Sequence, residues 1–152
     1  MCLIVDANLA SLVFGDQPSE DFLPIIDWLT SPKKKGRLII GGQLTEELYG
    51  VESARRRILR LAQAGRAIFR SPNEVGLERE QVIATGECRS DDPHIIALAR
   101  ISGARVLCSQ DKNLHRDFKN LKLINLPKGR IYQNAKHAEI LGHTSACHHS
   151  LS

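Results

Sequence analysis

The stretch MCLIVDAN, residues 1–8, decides the reading of the fold. Cys2–Val5 form a short apolar run rich in branched side chains that stops at the carboxylate of Asp6. Such a run reads as a central strand buried on both faces, with Asp6 at its C-terminal end. Working outward, a helix is expected from Pro18 through Phe22, Ile25, Ile26 and Leu29, ended by Ser31 and Pro32. RLIIGG at 37–42 is a second buried strand, and Gly41 and Gly42 lead into a helix carrying Leu44, Leu48 and Val51. Residues 52–64 continue helically, with Ala54, Ile58, Leu61 and Ala62 on one side, Arg56 and Arg60 opposite, and Gly65 as a stop.

AIFRS at 67–71 is a third strand, and a weakly periodic helix covers 74–88. Asp92 stands before Pro93 as an N-cap before a first-turn proline, opening a helix that runs to Gly103. GARVLCS at 103–109 is a strand ending at Ser109, QDKNLHRDF at 110–118 a turn and short helix, and KLINL at 122–126 the last strand. A helix near Asn134–Leu141 and a polar tail complete the chain. Strands alternating with helices imply parallel strands, right-handed crossovers and a sheet covered on both faces, which is an α/β architecture.

The 152 residues, 42% hydrophobic and 25% charged, suit one globular domain and argue against disorder, collagen-like repeats or a membrane span. An acid at Asp6, with no basic region before it, argues against an export signal, so a cytoplasmic location is expected. Cys2, Cys88, Cys108 and Cys147 contain no CxxC pair and read as ordinary thiols in a reducing compartment. Charge is segmented: residues 1–32 hold five acids and no Lys or Arg, whereas 33–70 hold ten basic and three acidic residues. That pattern fits a polyanion binder with an acidic site, and equally a solvated basic face. Only 5% of residues are aromatic, which argues against a base-stacking platform and for backbone contact.

In an open parallel sheet, ligands bind at the C-terminal strand edge, and the acids gather there. Asp6 closes the first strand, Glu46 and Glu47 lie in the helix after the second, Asp91 and Asp92 open the helix before the fourth, and Asp111 follows that strand. Taking Leu44, Leu48 and Val51 as the core direction, Glu47 falls about 65° from it and Glu46 almost directly away. Ile95, Ile96, Ala99 and Gly103 share the face of Asp92, from which Asp91 is rotated by about 100°. His94, about 160° from Asp92, falls on the outer face, which argues against it as a general base.

Each acid also has a plainer explanation. Asp92 and Asp111 fit N-caps and Glu47 an amphipathic rim, but a carboxylate ending a buried strand is costly unless paired or coordinated. Four converging carboxylates repel, and a divalent cation is the simplest way to hold them ionised together; oxygen ligands suit Mg²⁺ or Mn²⁺.

VDAN at 5–8, LTEELYG at 44–50, DDPHIIALAR at 91–100 and VLCSQD at 106–111 resemble, in order and spacing, the acidic signatures of PIN-domain nucleases, the family that includes VapC-type toxins. The resemblance covers about residues 1–127. It implies a three-layer α/β/α sandwich with a mostly parallel sheet, a nuclease domain over 1–130, and a C-terminal helix and polar tail over 131–152 within or appended to it. The implied activity is metal-dependent endonucleolytic cleavage of RNA, less often structured DNA, leaving 5′-phosphate and 3′-hydroxyl ends. Carried over by position, Asp6, Glu47, Asp92 and Asp111 are the catalytic and Mg²⁺- or Mn²⁺-binding acids, with Asn8 and Ser109 in supporting polar positions. Beside them, Lys112, His115 and Arg116 could contact RNA phosphates, and Arg55, Arg56, Arg57 and Arg60 could extend the track. A protein inhibitor or antitoxin and a homodimer are the partners that the reading leaves room for, with no membrane.

Other classes fit less well. A haloacid-dehalogenase-like phosphatase needs a second Asp where Asn8 stands, and dinucleotide binding needs a GxGxxG that DANLAS lacks. A non-catalytic nucleic-acid-binding or scaffold module keeping the fold is the alternative, and metal-dependent cleavage would decide against it. His143, Cys147, His148 and His149 at the end offer a weak zinc reading without a standard pair of cysteine ligands.

Overall fold

The computed structural model describes residues 1–143 and residue 147. Strand β1 is Cys2–Val5, every residue of it buried, and it occupies the centre of the sheet. Strand β2 (Arg37–Gly41) pairs with it on one side and β4 (Val106–Cys108) on the other; β3 (Ala67–Arg70) and β5 (Arg130–Tyr132) form the edges. The order is β3-β2-β1-β4-β5 and every pairing is parallel. Leu3 lies opposite Leu38, and Ile4 opposite Leu107. A strand with neighbours on both sides and helices over both faces meets no water, which is why CLIV and RLIIG carry unbroken apolar runs where a half-exposed strand would alternate.

Helices α1 (Ala10–Phe14), α2 (Leu23–Thr30), α3 (Gln43–Tyr49) and α4 (Glu52–Gln63) fill the two crossovers from β1 to β3. Helices α5 (Pro72–Ala84) and α6 (Pro93–Ser102) carry the chain back to β4, and α7 (Lys112–Lys119) leads on toward β5. Right-handed crossovers running in opposite directions from the central strand put these two groups on opposite faces, giving a three-layer α/β/α sandwich. Helix α1 packs on α4 and α2, while α5 packs on α6. Gly42, with φ +56°, turns the chain sharply from β2 into α3, and a Cβ there would press against Val75 at 3.2 Å. That turn sets the direction in which α3 presents Glu47.

Several boundaries differ from expectation. The expected helix at Pro18 begins later: Ser19 accepts from the Asp21 amide, the chain makes a 3-10 turn over Glu20–Phe22, and α2 starts at Leu23. Val51 is not part of α3; its extended backbone breaks the chain between α3 and α4. Helix α5 begins at Pro72, capped by Ser71, whose hydroxyl accepts from the Glu74 amide at 3.1 Å while the Glu74 carboxylate accepts from the Ser71 amide.

KLINL is not a strand. After α7 the Asn120 carbonyl accepts from both Leu123 and Ile124, and its side chain accepts from the Lys122 amide, so the segment curls and buries Leu123 and Ile124 without sheet pairing. The fifth strand is the RIY that follows, paired through Arg130, Ile131 and Tyr132 with β4. A 3-10 segment, Ala135–His143, stands where a helix was expected and packs on α2 and β5.

Cys2 and Cys147 are joined as a disulfide, which corrects the reading of all four cysteines as free thiols; Cys88 and Cys108 remain unpaired. It takes Cys147 out of the zinc reading of the tail, whose His148 and His149 lie outside the described residues. Among the described residues, no helix is long and apolar enough to cross a membrane.

Candidate functional site

Asp6 is 3% exposed where β1 ends, and its own backbone amide donates to Cys108 of β4 at 2.9 Å. Its carboxylate is already occupied: Oδ1 accepts from the Asn8 amide at 3.2 Å and Oδ2 from the Ser109 hydroxyl at 2.9 Å. Ser109, fully buried, accepts in turn from the Asp111 amide at 3.1 Å. Asp111 caps α7, Oδ1 accepting from Asn113 at 2.9 Å and Leu114 at 3.2 Å. Asp6, Ser109 and Asp111 thus form a chain of hydrogen bonds across the ends of the two central strands. Ser109 supports both acids through its side chain, whereas exposed Asn8 supports Asp6 through its backbone.

Glu47 and Asp92 are held differently. Asp92 occupies the N-cap position of α6, yet its side chain makes no capping bond and its backbone, at φ −121° and ψ 55°, is not helical. The loop before it is fixed from below by Asp117, a fully buried acid of α7 that accepts from the Arg89 amide at 2.9 Å, the Ser90 amide at 2.8 Å and the Cys88 thiol at 3.3 Å. Burial, with the hydrogen bond to Asp117, pushes the Cys88 thiol up to about 11, so it remains a donor. Ser90 then uses its hydroxyl to accept from the Asp92 amide at 3.3 Å.

His94 reverses its sequence reading. It is 1% exposed and its Nε2 lies 2.9 Å from Glu47 Oε1. The ligand atoms of Glu47, Asp92 and His94 all lie within 4.8 Å of one another. Two features of the chain place His94 away from the outer face that a helical wheel assigns it. Asp92 is outside the helix, so a helical angle measured from it has no meaning. Residues 93–99 are all buried, so this part of α6 has no solvent face to which His94 could turn.

Electrostatics tie the acids together. Burial raises the Asp92 carboxyl above its ordinary value; His94 opposes this, while the charges of Asp6, Glu47 and Asp111 add to it. One carboxyl therefore feels all three of the other acids picked from the sequence. Two carboxylates and an imidazole whose ligand atoms lie within 4.8 Å of one another are a donor set that fits a divalent cation. Glu46 is exposed and has no part in this cluster, whereas the Glu47 side chain keeps 36% of its surface and reaches His94.

Beside Glu47 and His94 a cleft of about 610 Å³ opens between α3 and α5, lined also by Gly42, Gln43, Glu46 and Arg79. Gln43 and Arg79 escaped the sequence reading because neither belongs to a spaced motif. The arginines of α4 are spread out. Arg56 pairs with Asp16 at 3.5 Å, Arg57 donates to the Gly15 carbonyl at 3.4 Å, and Arg55 and Arg60 are exposed. Arg57 and Arg60 line a separate groove with Thr30, Pro32 and Ala64 at the C-terminal ends of α2 and α4, which topology places toward the opposite edge of the sheet. Lys112 and Arg116 are exposed on α7, directly after Asp111, and His115 Nε2 lies 2.6 Å from the Ser109 carbonyl.

No family model, no curated protein and no solved structure matches the chain.

Proposed function

We propose that the chain is a metal-dependent endoribonuclease of the PIN-domain kind, hydrolysing phosphodiester bonds at the C-terminal edge of its sheet. The observation that carries the reading is the cluster of Glu47, Asp92 and His94, whose ligand atoms lie within 4.8 Å of one another at the strand edge where Asp6 and Asp111 also stand. Negative charge concentrated at a ligand-binding edge is costly unless a cation shares it.

A divalent cation bound there supplies the Lewis acidity that makes water nucleophilic near neutral pH and offsets charge on the phosphoryl oxygens. The chain's own residues do the rest. Glu47 and Asp92 would hold the ion, with Asp6 and Asp111 at the same acidic edge. Ser109 orients Asp6, and Asp117 fixes the loop that delivers Asp92. Lys112 and Arg116, exposed just beyond Asp111, attract the RNA backbone toward the edge. RNA is favoured as substrate by the motif resemblance, and a toxin-type role would bring an inhibitory protein partner.

The test is to sequence RNA 5′ ends in cells expressing the protein or the Asp6→Asn and Asp92→Asn variants, and to assay single-stranded RNA with and without chelator. New 5′-phosphate ends only with the unaltered protein, lost with EDTA and restored by Mn²⁺, support the reading. An identical pattern in the variants, or full cleavage after exhaustive chelation, overturns it and leaves a binding module.

A further inference from the structure

We propose that His94 is itself a metal ligand, giving the acidic edge a mixed oxygen and nitrogen donor set that selects Mn²⁺ over Mg²⁺. This rests on the reading of that edge as a divalent-cation site and goes beyond it by naming a ligand that is not an acid, and the ion it favours.

The first argument is placement. His94 sits in the first turn of α6, on a stretch buried on every side, and its ring is 1% exposed. Its Nε2 is directed at Glu47 Oε1, 2.9 Å away, with Asp92 inside the same 4.8 Å cluster. Two ligands adjacent on an octahedral ion with bonds of about 2.1 Å stand about 3 Å apart, so Glu47 and His94 already have the spacing of neighbouring ligands. The engaged nitrogen gives a second ground. Of the ring's two nitrogens it is Nε2 that is turned to the acids, and among the described residues the Glu47 carboxylate is the hydrogen-bond partner of this buried ring, Nδ1 having none.

The third argument is chemical. Mg²⁺ is a hard ion that prefers oxygen ligands and keeps much of its water, whereas imidazole nitrogen suits first-row transition ions. Mn²⁺ accepts both carboxylate and imidazole. The rival role for His94 is that of a positioning residue whose Nε2–H only holds Glu47 in place. The two differ measurably: loss of a ligand weakens Mn²⁺ selectively, whereas loss of a support for Glu47 weakens both ions alike.

The experiment uses the full chain stripped of metal. Mn²⁺ alone and Mg²⁺ alone are titrated by calorimetry into the unaltered protein, His94→Gln and Glu46→Gln, and the Mn²⁺-loaded proteins are studied by electron spin-echo modulation, which detects a nitrogen bonded to the ion. The expected result is Mn²⁺ affinity about tenfold or more above that for Mg²⁺, with ¹⁴N modulation in the unaltered protein and Glu46→Gln. His94→Gln should lose the modulation and about tenfold in Mn²⁺ affinity while Mg²⁺ affinity stays within about twofold. Mn²⁺ bound to the unaltered protein without ¹⁴N modulation overturns the proposal, and that measurement needs no variant to fold. Equal weakening of both ions in a folded His94→Gln also overturns it, in favour of positioning. A protein that binds neither ion overturns both this inference and the cation site, whereas selective Mn²⁺ binding without RNA cleavage upholds the inference and sinks only the nuclease reading.

Discussion

The two halves of the acidic edge are built on different principles. Asp6 and Asp111 have their charge met by the protein: backbone amides and the Ser109 hydroxyl donate to them, and Asp111 does ordinary capping work for α7. Asp92 stands at a helix start without capping it, its proton affinity is raised by burial, and its neighbour His94 has an unbonded nitrogen. In one half the carboxylates are hydrogen-bonded within the fold; in the other the Asp92 carboxylate makes no capping bond. The contrast teaches that an acid's position in a motif does not reveal its energetic state. Two aspartates of the same edge, both at helix starts, are satisfied to very different extents.

The largest effect should come from removing a carboxylate from either half. Asp6→Asn and Asp92→Asn are each expected to reduce metal-dependent cleavage about 1000-fold, roughly 4 kcal/mol of transition-state stabilisation, measured on a single-stranded RNA. Equal losses would show that chemistry needs both halves whatever their resting states. Stability separates them next. Ser109→Ala strips a buried donor from Asp6 and an acceptor from the Asp111 amide, and should cost about 1–3 kcal/mol of metal-free stability by thermal or urea unfolding. A silent Ser109→Ala would erase the distinction between the halves.

A smaller effect sharpens the helix register: Glu47→Gln should lower turnover about tenfold, roughly 1.4 kcal/mol, and Glu46→Gln within about twofold. The reverse result would mean that the wrong glutamate has been assigned.

The smallest effect concerns pH. Because the Asp92 pKa is raised in the fold, the folded protein retains a proton that the unfolded chain has already lost. Metal-free stability therefore falls as pH rises from the ordinary carboxyl value through the raised one. Asp92→Asn should flatten that decline and slightly raise the Tm above this range, by less than Ser109→Ala lowers it. A Tm that drops with Asp92→Asn under chelation would show that the carboxylate is satisfied after all.

Much of this was legible in the sequence, and each failure has its own physical cause. Buried strands announce themselves by unbroken apolar runs, so β1 and β2 were plain, as was the gathering of acids at one edge. Angular reasoning separated Glu47 from Glu46 because both lie within α3 with the buried Leu44 and Leu48, although Val51, the third residue of the reference direction, lies outside that helix. It failed for His94 because its reference residue was outside the helix. KLINL looked more like a strand than RIY because it is apolar, but apolar residues can be buried by a curled segment, and here Asn120 supplies the local bonds that curl it. Helix α1 has five residues and no side-chain cap, and left no periodic signal. The bond between Cys2 and Cys147 joins residues 145 apart, a pairing that no local spacing encodes.

The central place of β1 has a consequence in time as well as in space. It leaves the ribosome before the other four strands of this sheet, and it waits for Val106–Cys108 before its second side is paired. Asp6 and Glu47 are synthesised well before Asp92 and Asp111 exist. A nascent chain that has not reached residue 92 consequently exposes a bare sheet edge and carries only Asp6 and Glu47 of the four acids, which makes it a good target for proteolysis. The order of translation thus completes the acidic edge only as α7 is made.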